Sequence, residues 1–128
     1  MDSQVKLDQQ PISTEDLTDL IIDSIRDIKG KNILKLDLRK LDDAPTDFFI
    51  ICEGDSVTQV KAISENINVR LKREASTPAN HIEGGSGAGW ICLDYFAVVV
   101  HIFHPATREF YQLESLWSDA ETTEYASL

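Results

Sequence analysis

Two apolar runs separated by only two residues constrain the fold of this 128-residue chain more than any other feature. Residues 90–95 and 98–103 are joined by Phe96 and Ala97, which is the spacing of a tight β-hairpin. Because side chains alternate across a strand, this register predicts one continuous apolar face, made of Ile91, Leu93, Tyr95, Val98, Val100 and Ile102. The opposite face is mixed, and we expect an accessible recognition surface there, carrying Trp90, Cys92, Asp94, Val99, His101 and Phe103.

The hairpin turn raises a question of register. Two-residue turns place backbone angles at positive φ, which glycine adopts without strain, yet this turn contains Phe96 and Ala97. Either the turn is of another type or the register differs slightly. A slip of one residue would exchange the two faces of the hairpin.

Apolar residues at helical spacing predict two longer helices, over 14–29 and over 57–71. The first closes with a glycine at position 30. Each helix follows residues that can cap its first turn: Ser13 or Thr14 for the first, Asp55 or Ser56 for the second.

Strand patterns occupy 32–38, 48–52 and 81–83 in addition to the hairpin, and a helical turn begins at Pro105. This order predicts one α/β domain with a mixed five-stranded sheet and flanking helices. We expect the domain to span 13–118, with a loose segment at 1–12 and an unstructured acidic tail at 119–128.

The charge balance limits the class of partner. Twenty-two acidic residues against twelve lysines and arginines give a formal net charge of -10, which disfavours binding that neutralises nucleic-acid phosphates and is compatible with a basic protein partner. The first residues contain no apolar run, so we expect a cytoplasmic protein with neither a signal peptide nor a membrane span. Cys52 and Cys92 lie in apolar strand patterns, where reduced thiols are expected.

Chemical motifs are weak. The glycine-rich segment 84–89 lacks the lysine of a phosphate-binding loop, and its serine precedes a strand rather than the helix that a hydrolase nucleophile needs. His101 and His104 fall on opposite faces of a strand, which prevents shared metal coordination. We therefore predict no catalytic, cofactor-binding or metal-binding residues. The alternative is a magnesium-dependent nucleotidyltransferase-like enzyme using Asp55, Ser56 and a distant carboxylate.

An ordered series of short motifs extends over residues 14–118. It consists of Asp37-Leu38-Arg39, Thr46 through Cys52, Gly54 with Ser56, Glu83-Gly84, Trp90 with Asp94, Val100-His101, and Arg108, Tyr111, Leu113-Glu114 and Leu116-Trp117. In these motifs the chain resembles the Iojap-like ribosomal silencing factors. The resemblance implies a nucleotidyltransferase-like topology without catalytic residues, and hence a protein that is not an enzyme.

The resemblance also implies a partner and a mechanism. Such factors bind the fourteenth protein of the large ribosomal subunit, block joining of the small subunit and lower translation when nutrients are scarce. Homodimer formation is also suggested, and a general scaffolding domain is a further possible reading. Six signature residues are candidates for the partner surface, with Tyr111 and Trp117 equally able to clamp the last helix onto the sheet: Trp90, Asp94, His101, Tyr111, Glu114 and Trp117.

Overall fold

A computed structural model describes residues 11–85, 87 and 89–128. Most of the segment predicted to be loose, 1–10, therefore lies outside the described residues. The elements follow in the order α1 (Thr14–Asp27), β1 (Lys31–Asp37), β2 (Phe48–Glu53), α2 (Val57–Ala75), β3 (His81–Glu83), β4 (Trp90–Asp94), β5 (Val98–Phe103), α3 (Pro105–Tyr111), α4 (Leu113–Leu116) and β6 (Glu121–Tyr125).

The strands form one sheet in the spatial order β3-β4-β5-β2-β1-β6. The central neighbours β2 and β5 are parallel, and the other pairs are antiparallel. A parallel pair needs a long connection, and α2 lies within the one that joins β2 to β5. The predicted mixed α/β sheet is confirmed.

The strand β6 corrects the sequence-based prediction. Residues 119–128 were expected to be unstructured and the sheet to have five strands, but β6 pairs with β1 from Ile33 opposite Tyr125 to Asp37 opposite Glu121. The segment lacks an apolar stripe because it sits exposed at a sheet edge, so its pattern gave little signal. Pairing with β1 is a tertiary effect that local sequence does not encode.

Both long helices are confirmed, and the structure decides between their candidate caps. The Ser13 hydroxyl accepts a hydrogen bond from the Asp16 amide at 3.1 Å, and the Ser56 hydroxyl accepts one from the Gln59 amide at 3.1 Å. Each serine thereby satisfies one of the free amides at a helix start. The second helix continues four residues past the predicted end, to Ala75.

The apolar face of the hairpin forms the main core together with α1 and α2. Ile91 lies opposite Ile102 and Leu93 opposite Val100, as predicted. These side chains are buried in one cluster with residues of both helices, such as Ile21. The hairpin therefore has the expected register, and its apolar face is the one that α1 and α2 cover.

The turn explains how this register is kept without glycine. Phe96 has φ of 67°, and the Ala97 amide donates to the Tyr95 carbonyl at 2.9 Å, which forms a γ-turn. Asp94 Oδ1 accepts from the Phe96 amide at 2.8 Å, and Thr46 Oγ1 donates to the Phe96 carbonyl at 2.6 Å. Neighbouring groups thus hold a strained backbone in place, and the Phe96 side chain is 72% exposed.

We expect Phe96→Gly to stabilise the protein by up to about 1 kcal/mol, because glycine removes the cost of a side chain at positive φ. Urea unfolding followed by circular dichroism measures the change. The matched control is Phe96→Ala, which removes the ring and keeps the strain, and should bring no such gain. Equal stabilisation by both variants would assign the effect to loss of the exposed ring and contradict the backbone explanation.

Candidate functional site

The second face of the hairpin covers a smaller core instead of lying open to solvent. Leu36, Leu38, Phe49, Ile51 and Phe103 form this core, and Trp90, Val99, Leu113 and Trp117 pack against it. The expectation of an accessible face is therefore wrong for His101, which is 6% exposed, and for Phe103. The physical reason is that the chain after β5 folds back and brings apolar side chains of α4 and the following turn onto this face.

An aromatic patch remains at the outer part of this face. The Trp90 ring lies 4.8 Å from Phe103 beneath it and 5.0 Å from Tyr111 above it, and Tyr111 contacts Phe110 at 5.0 Å, all between ring centroids. Phe110 is 80% exposed and Tyr111 is 52% exposed. We call Trp90, Phe110 and Tyr111 the aromatic surface. It joins the start of β4 to α3.

His101 supports this surface from below. Trp90 Nε1 donates a hydrogen bond to His101 Nδ1 at 3.1 Å, and the Phe49 ring packs against the imidazole at nearly a right angle, 4.6 Å between centroids. Burial lowers the pKa of His101 to about 4, so the ring is neutral at pH 7. With Nδ1 accepting, the proton is assigned to Nε2. His101 thus fixes the orientation of Trp90 and is not itself a surface group.

Glu114 faces inward. The buried Arg108 donates from Nε to Glu114 at 3.1 Å, and from Nη1 to Glu53 at 2.8 Å and to the Asn32 carbonyl at 2.8 Å. This network joins α3 and α4 to β1 and β2. Sequence reasoning assigned no role to Arg108, because its partners lie up to 76 residues away in the chain. The geometry favours a structural role for Glu114.

The same network occupies the place where α/β sheets commonly bind ligands. It lies at the carboxyl ends of the parallel strands β2 and β5, from which the chain continues to opposite faces of the sheet. The residues of the enzyme alternative have other tasks: Asp55 pairs with Lys31 at 2.8 Å, and Ser56 caps α2. Within the residues that the structure describes, no group of three or more acidic, histidine or cysteine side chains could hold a metal ion.

The remaining candidates are more scattered. Trp117 packs edge-on against Phe49 at 5.9 Å, which places it beside the His101 support. Asp94 lies four residues along β4 from Trp90, roughly 13 Å away, and binds the turn amide of Phe96. The structure therefore brings Trp90, His101 and Tyr111 together, with Trp117 adjoining. It also adds Phe110, which directly precedes Tyr111, the residue whose ring packs on Trp90. No local sequence pattern indicates that the Phe110 side chain is exposed.

The sequence matches, over residues 11–128, the model of a family described as "Ribosomal silencing factor during starvation". The chain belongs to the ribosomal silencing factor family. It is similar to a ribosomal silencing factor of Chromobacterium violaceum, with 40% identity over 106 residues that cover 80% of this chain and 83% of the relative. One from Halalkalibacterium halodurans is 34% identical over 113 residues, covering 88% and 95% of the two chains.

Solved structures agree with this assignment. The crystal structure of the Chromobacterium violaceum protein CV0518 superposes with a TM-score of 0.78 at 36% identity and covers 84% of this chain and 88% of that one.

A more distant relative, a mouse protein named "Mitochondrial assembly of ribosomal large subunit protein 1", is 36% identical over 75 residues, 57% of this chain and 33% of its own length. The family is regulatory and not enzymatic, as the motifs indicated.

None of the helices in the described part of the chain is both long and apolar enough to cross a membrane.

The buried His101 predicts a dependence of stability on pH. Its pKa falls from 6.5 in the unfolded chain to about 4 in the fold, so the unfolded state binds the extra proton between these values. His101 therefore lowers the free energy of unfolding as pH falls from 6.5 to about 4, by about 3 kcal/mol in total. Urea midpoints between pH 7 and pH 4.5 would measure it.

The matched control for this titration is His101→Asn, whose Oδ1 corresponds in position to the Nδ1 that accepts the Trp90 hydrogen bond and whose side chain does not titrate. Its stability should change much less between pH 6.5 and pH 5, a range above the ordinary pKa of carboxylates. Equal slopes for the two proteins would show that other groups, and not His101, cause the pH dependence.

Proposed function

We propose that the protein binds the fourteenth protein of the large ribosomal subunit. It thereby occupies the face of that subunit where the small subunit docks, and it blocks association of the two subunits. Translation is thereby lowered when nutrients are scarce. Membership of the silencing factor family supports the proposal, as does a mouse relative named for assembly of the ribosomal large subunit. The observation that carries it is the aromatic surface of Trp90, Phe110 and Tyr111.

The aromatic surface has the properties of a binding anchor. Tryptophan and tyrosine contribute large contact areas at low conformational cost, and they dominate the energy of many protein interfaces. Trp90 is already fixed by the hydrogen bond to His101 and by packing on Phe103, so little ordering remains to be done on binding. Phe110 and Tyr111 extend the contact outward from this fixed base.

The electrostatics suit a basic partner. The net charge of -10 favours encounter with a positively charged protein surface and disfavours direct contact with nucleic-acid phosphates. The proposed action is steric, so it needs neither a cofactor nor a catalytic group. A cytoplasmic location follows from the proposal, because the target subunit is there.

Trp90→Ala is expected to weaken binding to purified large subunits at least tenfold, because it removes the anchor of the surface. Trp90 also packs on the smaller core, so its replacement could act through the fold. Phe110→Ala and Tyr111→Ala leave that core intact, and the double variant that combines them should weaken binding about tenfold as well. Cosedimentation of labelled protein with large subunits measures the affinity of Trp90→Ala and of the double variant.

The matched control is Phe96→Ala, which removes an equally exposed aromatic ring at the far end of the hairpin and should leave affinity unchanged. Gradient sedimentation of both subunits with saturating protein then tests the proposed action. Undiminished formation of joined ribosomes would refute the steric mechanism, and wild-type affinity in the double variant would refute the choice of surface.

A further inference from the structure

The two edges of the sheet differ in how they are protected. At one edge β3 has only three residues, and very short strands resist pairing with other chains. At the other edge β6 has five residues in continuous register with β1, without a bulge. Its sequence, Glu121 to Tyr125, contains neither proline nor lysine, and its charged residues are the two glutamates, which disfavour pairing with an acidic strand. Among the strands of the described residues, none pairs with the outer side of β6, so this side can accept an added strand.

A groove runs beside this edge, between the first turns of α1 and the side of β1 and β6 that faces them. Its volume is about 410 Å³, and Glu15 and Asp19 of α1 line it opposite Glu121 of β6. Two further charges in the groove neutralise each other, since Arg39 binds Asp37 at 2.7 Å. Glu121 also has an exposed cation near it, since Lys40 Nζ lies 3.8 Å from its Oε1. Glu15 and Asp19 share the groove with one other cation, Lys35, which lies 5.3 Å from the ring centroid of Phe48, so acidic side chains outnumber basic ones along the groove.

We propose that the β6 edge binds an extended, lysine- or arginine-bearing segment of another protein as a seventh strand. Main-chain hydrogen bonds to β6 would supply affinity, as in other cases of strand addition. Side chains of the added strand alternate, so every second one would lie next to the groove. A basic side chain there stands about 5 Å from its neighbour on β6 and reaches Glu121 and the carboxylates of α1.

Charge selects against a second copy of this chain as the occupant. In an antiparallel pair of β6 strands centred on Thr123, Glu124 of one copy lies diagonally across from Glu124 of the other, and like charges this close on adjacent strands are destabilising. Each copy also carries a net charge of -10. Basic side chains of an added strand are instead attracted to the acidic side chains at the β6 edge.

This surface is separate from the aromatic surface. Trp90 lies on β4, and three strands, β5, β2 and β1, stand between β4 and β6. Four strand spacings correspond to roughly 19 Å across the sheet. The strand-addition site therefore does not depend on the proposed contact with the ribosomal protein, and variants of one surface leave the other intact.

A fluorescein-labelled decapeptide of alternating lysine and valine provides a direct probe, with the glutamate-valine peptide as its charge-reversed counterpart. In fluorescence anisotropy at physiological salt, the basic peptide should bind and the acidic peptide should not. The double variant Glu121→Lys with Glu124→Lys should bind the basic peptide at least tenfold more weakly. Trp90→Ala should bind it as the wild type does.

The matched control carries the same change in net charge elsewhere, at two exposed helical residues, through Glu65→Lys and Glu109→Lys. It should retain most of the affinity, and an equal loss would show diffuse charge attraction only and overturn the proposal. Hydrogen exchange gives the second readout: amides of Glu121–Tyr125 should exchange at least tenfold more slowly with the peptide bound. Binding without that protection, or sedimentation showing a dimer that the β6 variants abolish, would also overturn it.

Discussion

The buried guanidinium of Arg108 is the interaction on which the last third of the fold depends. It donates to Glu53 on β2, to the backbone carbonyl of Asn32 on β1 and to Glu114 on α4. A buried charge is tolerated only when paired and hydrogen-bonded, and removal of one partner of such a pair commonly costs about 3–5 kcal/mol. Because α3 carries Phe110 and Tyr111, the position of the aromatic surface is set by this network.

The sheet separates two tasks between its faces. On one face α1 and α2 cover the apolar main core. Polar contacts join the two helices at its margin: Arg70 pairs with Asp23 and Asp27 of α1, and Asn66 donates a hydrogen bond to the Ser24 carbonyl. On the other face a smaller aromatic core supports an exposed aromatic surface. His101 belongs to both the core and the surface, since it is buried and yet positions Trp90. A hydrogen-bonded neutral imidazole can do this at much lower cost than a charged group.

Much of the fold could be predicted from the sequence because the strongest signals are local. The hairpin with its apolar face, the two long helices and the candidate caps follow from spacing, and the structure confirms them. The structure also decides what spacing left open, namely the hairpin register and the choice of Ser13 and Ser56 as caps. What could not be predicted depends on contacts distant in the chain: β6 becomes a strand only by pairing with β1, and Arg108 finds partners on three other segments. The burial of His101 is of the same kind, because Phe49, whose ring packs against the imidazole, lies on β2, far from His101 in the chain. For the aromatic surface, the family motifs named Trp90 and Tyr111 as candidates, whereas Phe110 and its exposure emerged only in three dimensions.

The central pairing of β2 with β5 has a consequence for the order in which the chain can fold. Phe48 lies beside Val98, so the middle of the sheet closes a loop of about fifty residues. Pairings this distant in sequence slow folding, because the chain loses conformational entropy before stabilising contacts form to offset that loss. During synthesis β1, β2 and the two long helices leave the ribosome well before β5, and their apolar faces wait for it. The centre of the sheet cannot form until residue 103 has emerged, and the sheet is complete only after β6, which ends at Tyr125, has emerged as well.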